Sequence, residues 1–243
     1  MRRILLALGF GAVCHGVFAL AVAAMILAMW FGMSRSLGAV PQPWAWGVNL
    51  VLILQFCVGH SFFLTGPGRR LLVRAAPGEA GKTLSVTTYA IIASVQLFLL
   101  FGFWTPCGVV WFQAEPPWLY LFGAAYGAAW LLLAKASFDA GAEVQSGLLG
   151  WFSLLRNVRP KFPPMPQTGL FRVIRQPIYV SFALTLWTVP TWTPDQLMLA
   201  TTLTAYCLLA PLHKERRFDR MFGDAWRAYR ARTPYWLPLG RPR

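Results

Sequence analysis

The sequence predicts an all-α, polytopic membrane protein with about six transmembrane helices, both termini in the cytoplasm and an amphipathic helix in the C-terminal tail. Composition is the first indication: 57% of the 243 residues are hydrophobic and only 12% are charged, whereas a soluble domain carries about 25% charged residues. The second indication is that the apolar residues fall into long runs. The third is that basic residues flank those runs, as they do in membrane proteins.

Four apolar runs in the first half of the chain are long enough to cross a bilayer, which takes about 20 residues. We expect them at about Ile4–Met33, Trp44–Leu64, Leu84–Trp104 and Trp118–Ala136. The first run is too long for a signal peptide, whose apolar core has about 7–15 residues. We therefore predict an N-terminal region of four membrane helices, residues 1–136.

The second predicted region, residues 137–243, begins with the longest polar stretch of the chain, Ser137–Gln176. A proline-rich piece within it, Pro160–Pro166, cannot be helical. Two further spans are expected at Pro177–Thr191 and Asp195–Leu212, followed by an amphipathic tail helix from Asp219 to Arg232. This region is expected to hold the cytoplasmic loop, a membrane hairpin and the tail.

The distribution of basic residues predicts the orientation. A net charge of +14 suggests nucleic acid binding in a soluble chain, but here the basic residues flank spans, and no nucleic acid partner is predicted. With a cytoplasmic N-terminus, Arg35 is the one basic residue in the predicted outside loops. A five-span arrangement would place the basic N-terminus and the basic tail on opposite sides. We therefore expect an integral protein of a bacterial inner membrane, with its site facing the cytoplasm.

Clustered polar groups adjoin a predicted span with no intervening loop at two places, Arg172–Gln176 and His213–Arg217. We expect any chemistry to occur where these two segments meet.

The four cysteines are scattered, without metal-ligand spacing, so no metal site is predicted.

The C-terminal motifs resemble those of a known family. The pattern Arg172-x-x-Arg175-Gln176-Pro177-x-Tyr179, and then Lys214-Glu215-Arg216-Arg217-Phe218 with Phe222-Gly223, resembles the membrane methyltransferases. These include isoprenylcysteine carboxyl methyltransferases and phospholipid methyltransferases. Three further segments are similar to the methanethiol S-methyltransferase and NnrU-like branch, namely Gly59-His60-Ser61, Thr105-Pro106 and Thr168-Gly169-Leu170-Phe171.

The resemblance implies methyl transfer from S-adenosylmethionine to an acceptor at the membrane face. Its motif positions assign donor binding to Arg172, Gln176, Pro177, Tyr179, Glu215 and Arg216, and catalysis to Arg175, Glu215 and His60. The expected partners are membrane lipids and a small-molecule or lipid-soluble acceptor. A small thiol is the favoured acceptor, with methanethiol converted to dimethyl sulfide.

Two positions depart from the family pattern, and they leave alternatives open. The family's histidine is Gln176 here, and the first of its paired glutamates is Lys214. A glutamine can form hydrogen bonds but cannot take up a proton near neutral pH. The same fold could serve a carboxyl or lipid methyltransferase, or a non-catalytic accessory protein. Arg172 and Arg175 could also be plain interfacial anchors, and His60 an interface histidine.

Overall fold

The computed structural model describes residues 1–76 and 78–238, and α-helices follow one another along most of this length. They are α1 (Arg2–Trp30), α2 (Trp44–Phe63), α3 (Gly66–Ala75), α4 (Ala80–Gly102), α5 (Trp118–Asp139), α6 (Ala142–Gln145), α7 (Leu148–Arg156), α8 (Pro177–Trp187), α9 (Pro194–Phe222) and α10 (Asp224–Arg232). A short 3-10 helix covers Gly169–Arg172, and two-residue strands cover Phe112–Gln113 (β1) and Thr191–Trp192 (β2).

Four of these helices, α1, α2, α4 and α5, are long and apolar enough to cross a membrane. They coincide with the four spans predicted in the first half of the chain, which confirms an all-α, polytopic membrane protein. Three boundaries differ from the prediction by three residues or more. Helix α1 ends at Trp30 rather than Met33, α4 begins at Ala80 rather than Leu84, and α5 continues to Asp139 rather than ending at Ala136.

The helices at the fifth and sixth predicted spans differ in length from the prediction. Helix α8 ends at Trp187, not Thr191, and has 11 residues. At 1.5 Å per residue it covers about 16 Å, roughly half of the hydrocarbon core. Helix α9 has 29 residues and continues through the predicted end at Leu212. The six-span arrangement and the cytoplasmic termini therefore stay predictions.

The tail helix begins later than the sequence suggested. Residues from Asp219 to Phe222 belong to α9, and α10 starts only at Asp224. Gly223 separates the two helices with a φ of +50°, a conformation that glycine adopts without the steric cost of a side chain. Arg241 and Arg243, which were assigned to the basic tail, lie outside the described residues.

Two segments outside the predicted spans contain helices. Gly66 and Gly68 lie in the first turn of α3, which the Thr65 hydroxyl caps by accepting a hydrogen bond from the Gly68 N–H at 3.3 Å. The long polar stretch contains α6 and α7. Its proline-rich piece, Pro160–Pro166, is not helical, as expected.

The chain forms two compact units of interleaved segments. The first comprises Met1–Phe112, Ala142–Phe162 and Thr191–Gln196; the second comprises Gln113–Gly141, Pro163–Pro190 and Leu197–Arg243. The predicted division of the chain into regions 1–136 and 137–243 stays a prediction.

In the first unit, α1 packs against α4, and α7 packs against both. The Thr87 hydroxyl of α4 donates to the Gly147 carbonyl at 2.7 Å and accepts the Trp151 N–H at 2.9 Å. The Trp151 indole donates to Nε2 of His15 at 3.1 Å. Helix α1 approaches that indole through Gly11, where a Cβ would lie 2.8 Å from the ring. Helix α7 is therefore held against α1 and α4 by the hydrogen bonds at its N-terminus and by the Trp151 side chain.

In the second unit, α5 packs against α8 and against the 3-10 helix. Asp139, at the end of α5, accepts the Leu170 N–H at 2.8 Å. The preceding Gly169 has a φ of +58°, and a Cβ there would overlap the Asp139 carboxylate. This contact fixes the segment that leads from the proline-rich piece to Arg175 and α8.

Candidate functional site

Arg175 is buried between the start of α8 and the end of α10. Its Nε donates to Oε1 of Glu215 at 2.9 Å, and its Nη1 donates to the carbonyl of Thr233 at 2.5 Å and to that of Arg230 at 3.2 Å. Its backbone N–H donates to the carbonyl of Pro234 at 2.8 Å. A buried guanidinium needs such partners, because desolvation of an unpaired charge is costly. Arg175 therefore holds the segment after α10 against the start of α8.

Gln176 links Glu215 to Lys214. It is fully buried, its amide nitrogen donates to Oε1 of Glu215 at 2.8 Å, and its amide oxygen accepts a hydrogen bond from Nζ of Lys214. Both ends of the amide are therefore engaged, and one glutamate oxygen receives both Arg175 and Gln176. The two positions that depart from the family pattern contact each other directly. They form one altered pair in the second unit.

Lys214 is half-buried in a surrounding of aromatic rings. Its Nζ lies 5.5 Å from the ring centroid of Tyr179, 5.7 Å from that of Phe218 and 6.0 Å from that of Phe171. Burial lowers the pKa of the Lys214 ammonium to about 7, although the adjacent Glu215 carboxylate opposes this. A lysine in this setting exchanges its proton near neutral pH.

A polar cavity of about 220 Å³ lies beside this network in the second unit. It is lined by Leu212, Glu215, Arg216, Asp219 and Arg230. Two carboxylates and two guanidinium groups around one cavity suit a ligand that carries both an ammonium and a carboxylate group.

A second, smaller cavity of about 80 Å³ adjoins the start of α8. Its lining is apolar apart from one hydroxyl and consists of Leu132, Leu170, Val173, Ile174, Pro177, Val180 and Ser181. A space of this size and polarity accommodates a small apolar group.

The structure brings together most of the residues that the sequence placed at the site. Arg175, Gln176 and Glu215 are in contact, Tyr179 faces Lys214, and Arg216 lines the polar cavity. Pro177 is the first residue of α8 and also lines the apolar cavity.

Two predicted residues are not part of this network. Arg172 is exposed at the end of the 3-10 helix. His60 belongs to the first unit, where its Nε2 lies 2.8 Å from the Tyr89 hydroxyl. The catalytic role assigned to His60 stays a prediction.

Several residues that hold the site together were not identified from the sequence. The Tyr229 hydroxyl donates to the Phe171 carbonyl at 2.6 Å, and the carbonyl of Thr233 binds Arg175. A backbone carbonyl has no sequence signal. The hydrogen bond between Gln176 and Lys214 had none either, because it depends on how α8 and α9 lie beside each other in the second unit.

Several known proteins are similar to this chain over most of its length. A methanethiol S-methyltransferase of Mycobacterium tuberculosis is 30% identical over 210 residues, which cover 82% of this chain and 81% of that protein. Methanethiol S-methyltransferase 1 of Bradyrhizobium diazoefficiens is 28% identical over 195 residues, covering 80% of this chain and 67% of that protein. Nurim of Rattus norvegicus is 30% identical over 176 residues, covering 68% of this chain and 64% of that protein.

No protein-family model and no solved structure matches the chain. The curated relatives extend over both predicted regions, so the similarity is not confined to the motifs near Arg175 and Glu215. The resemblance inferred from those motifs is confirmed: the chain belongs to the family of membrane methyltransferases that includes the methanethiol S-methyltransferases.

Proposed function

We propose that this protein transfers a methyl group from S-adenosylmethionine to a small thiol, with methanethiol as the acceptor and dimethyl sulfide as the product. The observation that carries the proposal is the buried network of Arg175, Gln176 and Glu215 beside a cavity of mixed charge. Several relatives that are similar over most of the chain are named methanethiol S-methyltransferases. Their names support the choice of acceptor.

The residues around the polar cavity fit the amino-acid end of such a donor. Its carboxylate would be held by Arg216 and Arg230, and its ammonium group by Glu215 or Asp219. Arg175 contributes indirectly, because its hydrogen bond to one oxygen of Glu215 fixes that carboxylate. When bound, the donor supplies an electrophilic methyl group on a sulfonium sulfur.

The protein's part in this reaction is mostly alignment and exclusion of water. A displacement at a methyl group needs the attacking sulfur, the methyl carbon and the leaving sulfur in line, and correct placement alone lowers the barrier substantially. Attack of a thiolate on a sulfonium removes charge, so apolar surroundings favour it. The aromatic rings of Phe171, Tyr179 and Phe218 form such surroundings beside the network.

We place the site on the cytoplasmic side, with α8 and α9 as the fifth and sixth spans of a protein whose ends are both cytoplasmic. The basic residues on α9, α10 and α3 would then share the cytoplasmic face, as the positive-inside rule requires. A cytoplasmic site has access to soluble donor and to a volatile thiol dissolved in the membrane.

The test is methyl transfer by the purified protein in detergent, with isotope-labelled S-adenosylmethionine and methanethiol, and with dimethyl sulfide measured in the headspace. Wild type is expected to produce labelled dimethyl sulfide and Glu215→Gln to lose at least about 100-fold in rate, as when a charged ligand contact is removed. Asp224→Asn is the matched control, because that carboxylate is exposed on α10 outside the cavity. Folded wild type that transfers no methyl group to any thiol would refute the proposal.

A further inference from the structure

A thiol acceptor has to lose its proton. An alkanethiol is mostly protonated at neutral pH, and the thiolate is the form that attacks. A site for thiol methylation therefore benefits from a group that accepts a proton near neutrality. Gln176, which stands where the family carries a histidine, cannot do this.

We propose that Lys214 is the proton acceptor of this site, positioned by Gln176 and enclosed by Phe171, Tyr179 and Phe218. This inference rests on the proposed function. It assigns to position 214 the proton exchange that position 176 cannot perform. The network geometry points to it, because Lys214 is the amine in direct contact with the Arg175–Gln176–Glu215 network.

The contacts of Lys214 leave its nitrogen able to accept a proton. In its neutral form Nζ has two hydrogens and one lone pair. One hydrogen is donated to the Gln176 amide oxygen, and the rings of Phe171, Tyr179 and Phe218 lie 5.5–6.0 Å from Nζ, measured to their centroids. The lone pair is the part of the amine that would take the proton of a thiol bound next to it.

The charges around Lys214 agree with a neutral resting state. On its own helix it faces Glu215, which favours the ammonium form, and Arg217, which disfavours it. Arg175, before α8, also disfavours the charge, and Tyr179 of α8 presents its ring. Burial is the largest influence and brings the pKa to about 7, which is near the value that suits a general base in the cytosol.

The proposed step conserves atoms and electrons. The acceptor's S–H bond breaks and its proton moves to Nζ of Lys214. The sulfur electron pair forms the new bond to the methyl carbon, while the bond from that carbon to the donor's sulfur breaks and leaves its electron pair on that sulfur. The sulfonium becomes a neutral thioether, and Lys214 later releases the proton to water.

The first test compares acceptors of different acidity. Lys214→Met removes the base at similar length, and Lys214→Arg, its matched partner, keeps a permanent cation. With methanethiol, Lys214→Met is expected to lose about 10²–10⁴-fold in kcat/KM, the usual contribution of a general base. With an aromatic thiol that is already ionised at pH 7, such as 4-nitrothiophenol, the same variant is expected to stay within about tenfold of wild type, because no proton has to be removed.

The pH profile gives a second signature. Because the neutral amine is the active form, wild-type kcat/KM with methanethiol is expected to rise about tenfold per pH unit below the Lys214 pKa of about 7 and to level off above it. Lys214→Met should lack this break, and Lys214→Arg should be inactive with methanethiol over the whole range.

A direct titration that needs no donor accompanies these assays. Trace acetylation of the donor-free protein, quantified by mass spectrometry, reports the neutral fraction of each lysine as pH rises. Lys214 is expected to titrate near pH 7, and the exposed Lys82 and Lys161 serve as internal controls. Titration of Lys214 together with those controls would overturn the inference.

The outcomes separate the inference from the function it rests on. If wild type methylates both thiols and Lys214→Met loses both equally, Lys214 is structural and the inference is overturned. Full methanethiol activity in Lys214→Met overturns it as well. If folded wild type methylates neither thiol, the proposed function fails first, and the inference fails with it.

Discussion

Gln176 shows at the scale of a single residue how the two departures from the family pattern are related. Taken separately, a glutamine for a histidine and a lysine for a glutamate each suggested a damaged site. In the structure they are hydrogen-bonded to each other, and Gln176 also binds Glu215. The sequence grouped Arg175, Gln176 and Glu215 because their motif spacing resembles that of the family, and in the structure these side chains are in contact. The contact between Gln176 and Lys214 could not be predicted, because it depends on how α8 and α9 are placed side by side in the second unit.

Replacing Gln176 by methionine tests this bridge. The change keeps the approximate volume but removes the acceptor of Lys214 and one of the two donors to Glu215, which keeps Arg175. A buried polar group left unsatisfied costs about 1–3 kcal/mol. We expect a fall of several degrees in the unfolding temperature in detergent. Gln145→Met, at an exposed position on α6, is the control. Equal unfolding temperatures for the two variants would mean that the bridge does not stabilise the fold.

At the scale of the elements, the 3-10 helix and the start of α8 are held by a contact that sequence analysis did not find. Asp139 lies in the polar stretch after the fourth predicted span, and no contact could be assigned to it from the sequence. In the structure it caps the Leu170 N–H, and Gly169 adopts a positive φ beneath its carboxylate. In the sequence, this contact is marked only by Gly169 before an apolar segment. That glycine could not be interpreted without knowing that α5 ends beside it.

Gly169→Ala tests that contact. A left-handed conformation costs a residue with a Cβ about 1–2 kcal/mol, and here the Cβ would also overlap Asp139. We expect a lower unfolding temperature, together with weaker donor binding, because Arg175 and Gln176 follow this segment directly. Gly127→Ala on α5, where a Cβ meets no atom within 4 Å, is the matched control and should be neutral or stabilising. Equal behaviour of the two variants would contradict the role assigned to Gly169.

At the scale of the whole molecule, composition and the length of the apolar runs were sufficient to predict the fold class but not the ends of the helices. Four spans were located closely because an uninterrupted apolar run of about 20 residues is typical of membrane-spanning helices. The extension of α9 to Phe222 was missed, since charged residues after His213 were taken as the end of a helix. A helix can leave the membrane and continue in water, and hydropathy does not detect that transition.

The orientation can be tested with single reporter cysteines. Leu37→Cys lies in the segment between α1 and α2, and Arg70→Cys lies on α3; both positions are exposed. With cytoplasmic termini, an impermeant thiol reagent applied to spheroplasts should label the Leu37→Cys variant and spare the Arg70→Cys variant. Inverted membrane vesicles should give the opposite result. Labelling of both positions from the same side would contradict the six-span arrangement.

The central claim is that the second unit binds a methyl donor through Glu215, and calorimetric titration of S-adenosylmethionine into the purified protein tests it most directly. Wild type and Asp224→Asn are expected to bind, and Glu215→Gln to lose the binding. Because removal of one partner from a buried ion pair costs about 3–5 kcal/mol, folding of each variant is checked by circular dichroism and its unfolding temperature. Binding by folded Glu215→Gln with unchanged affinity, or no binding by folded wild type, would contradict the account.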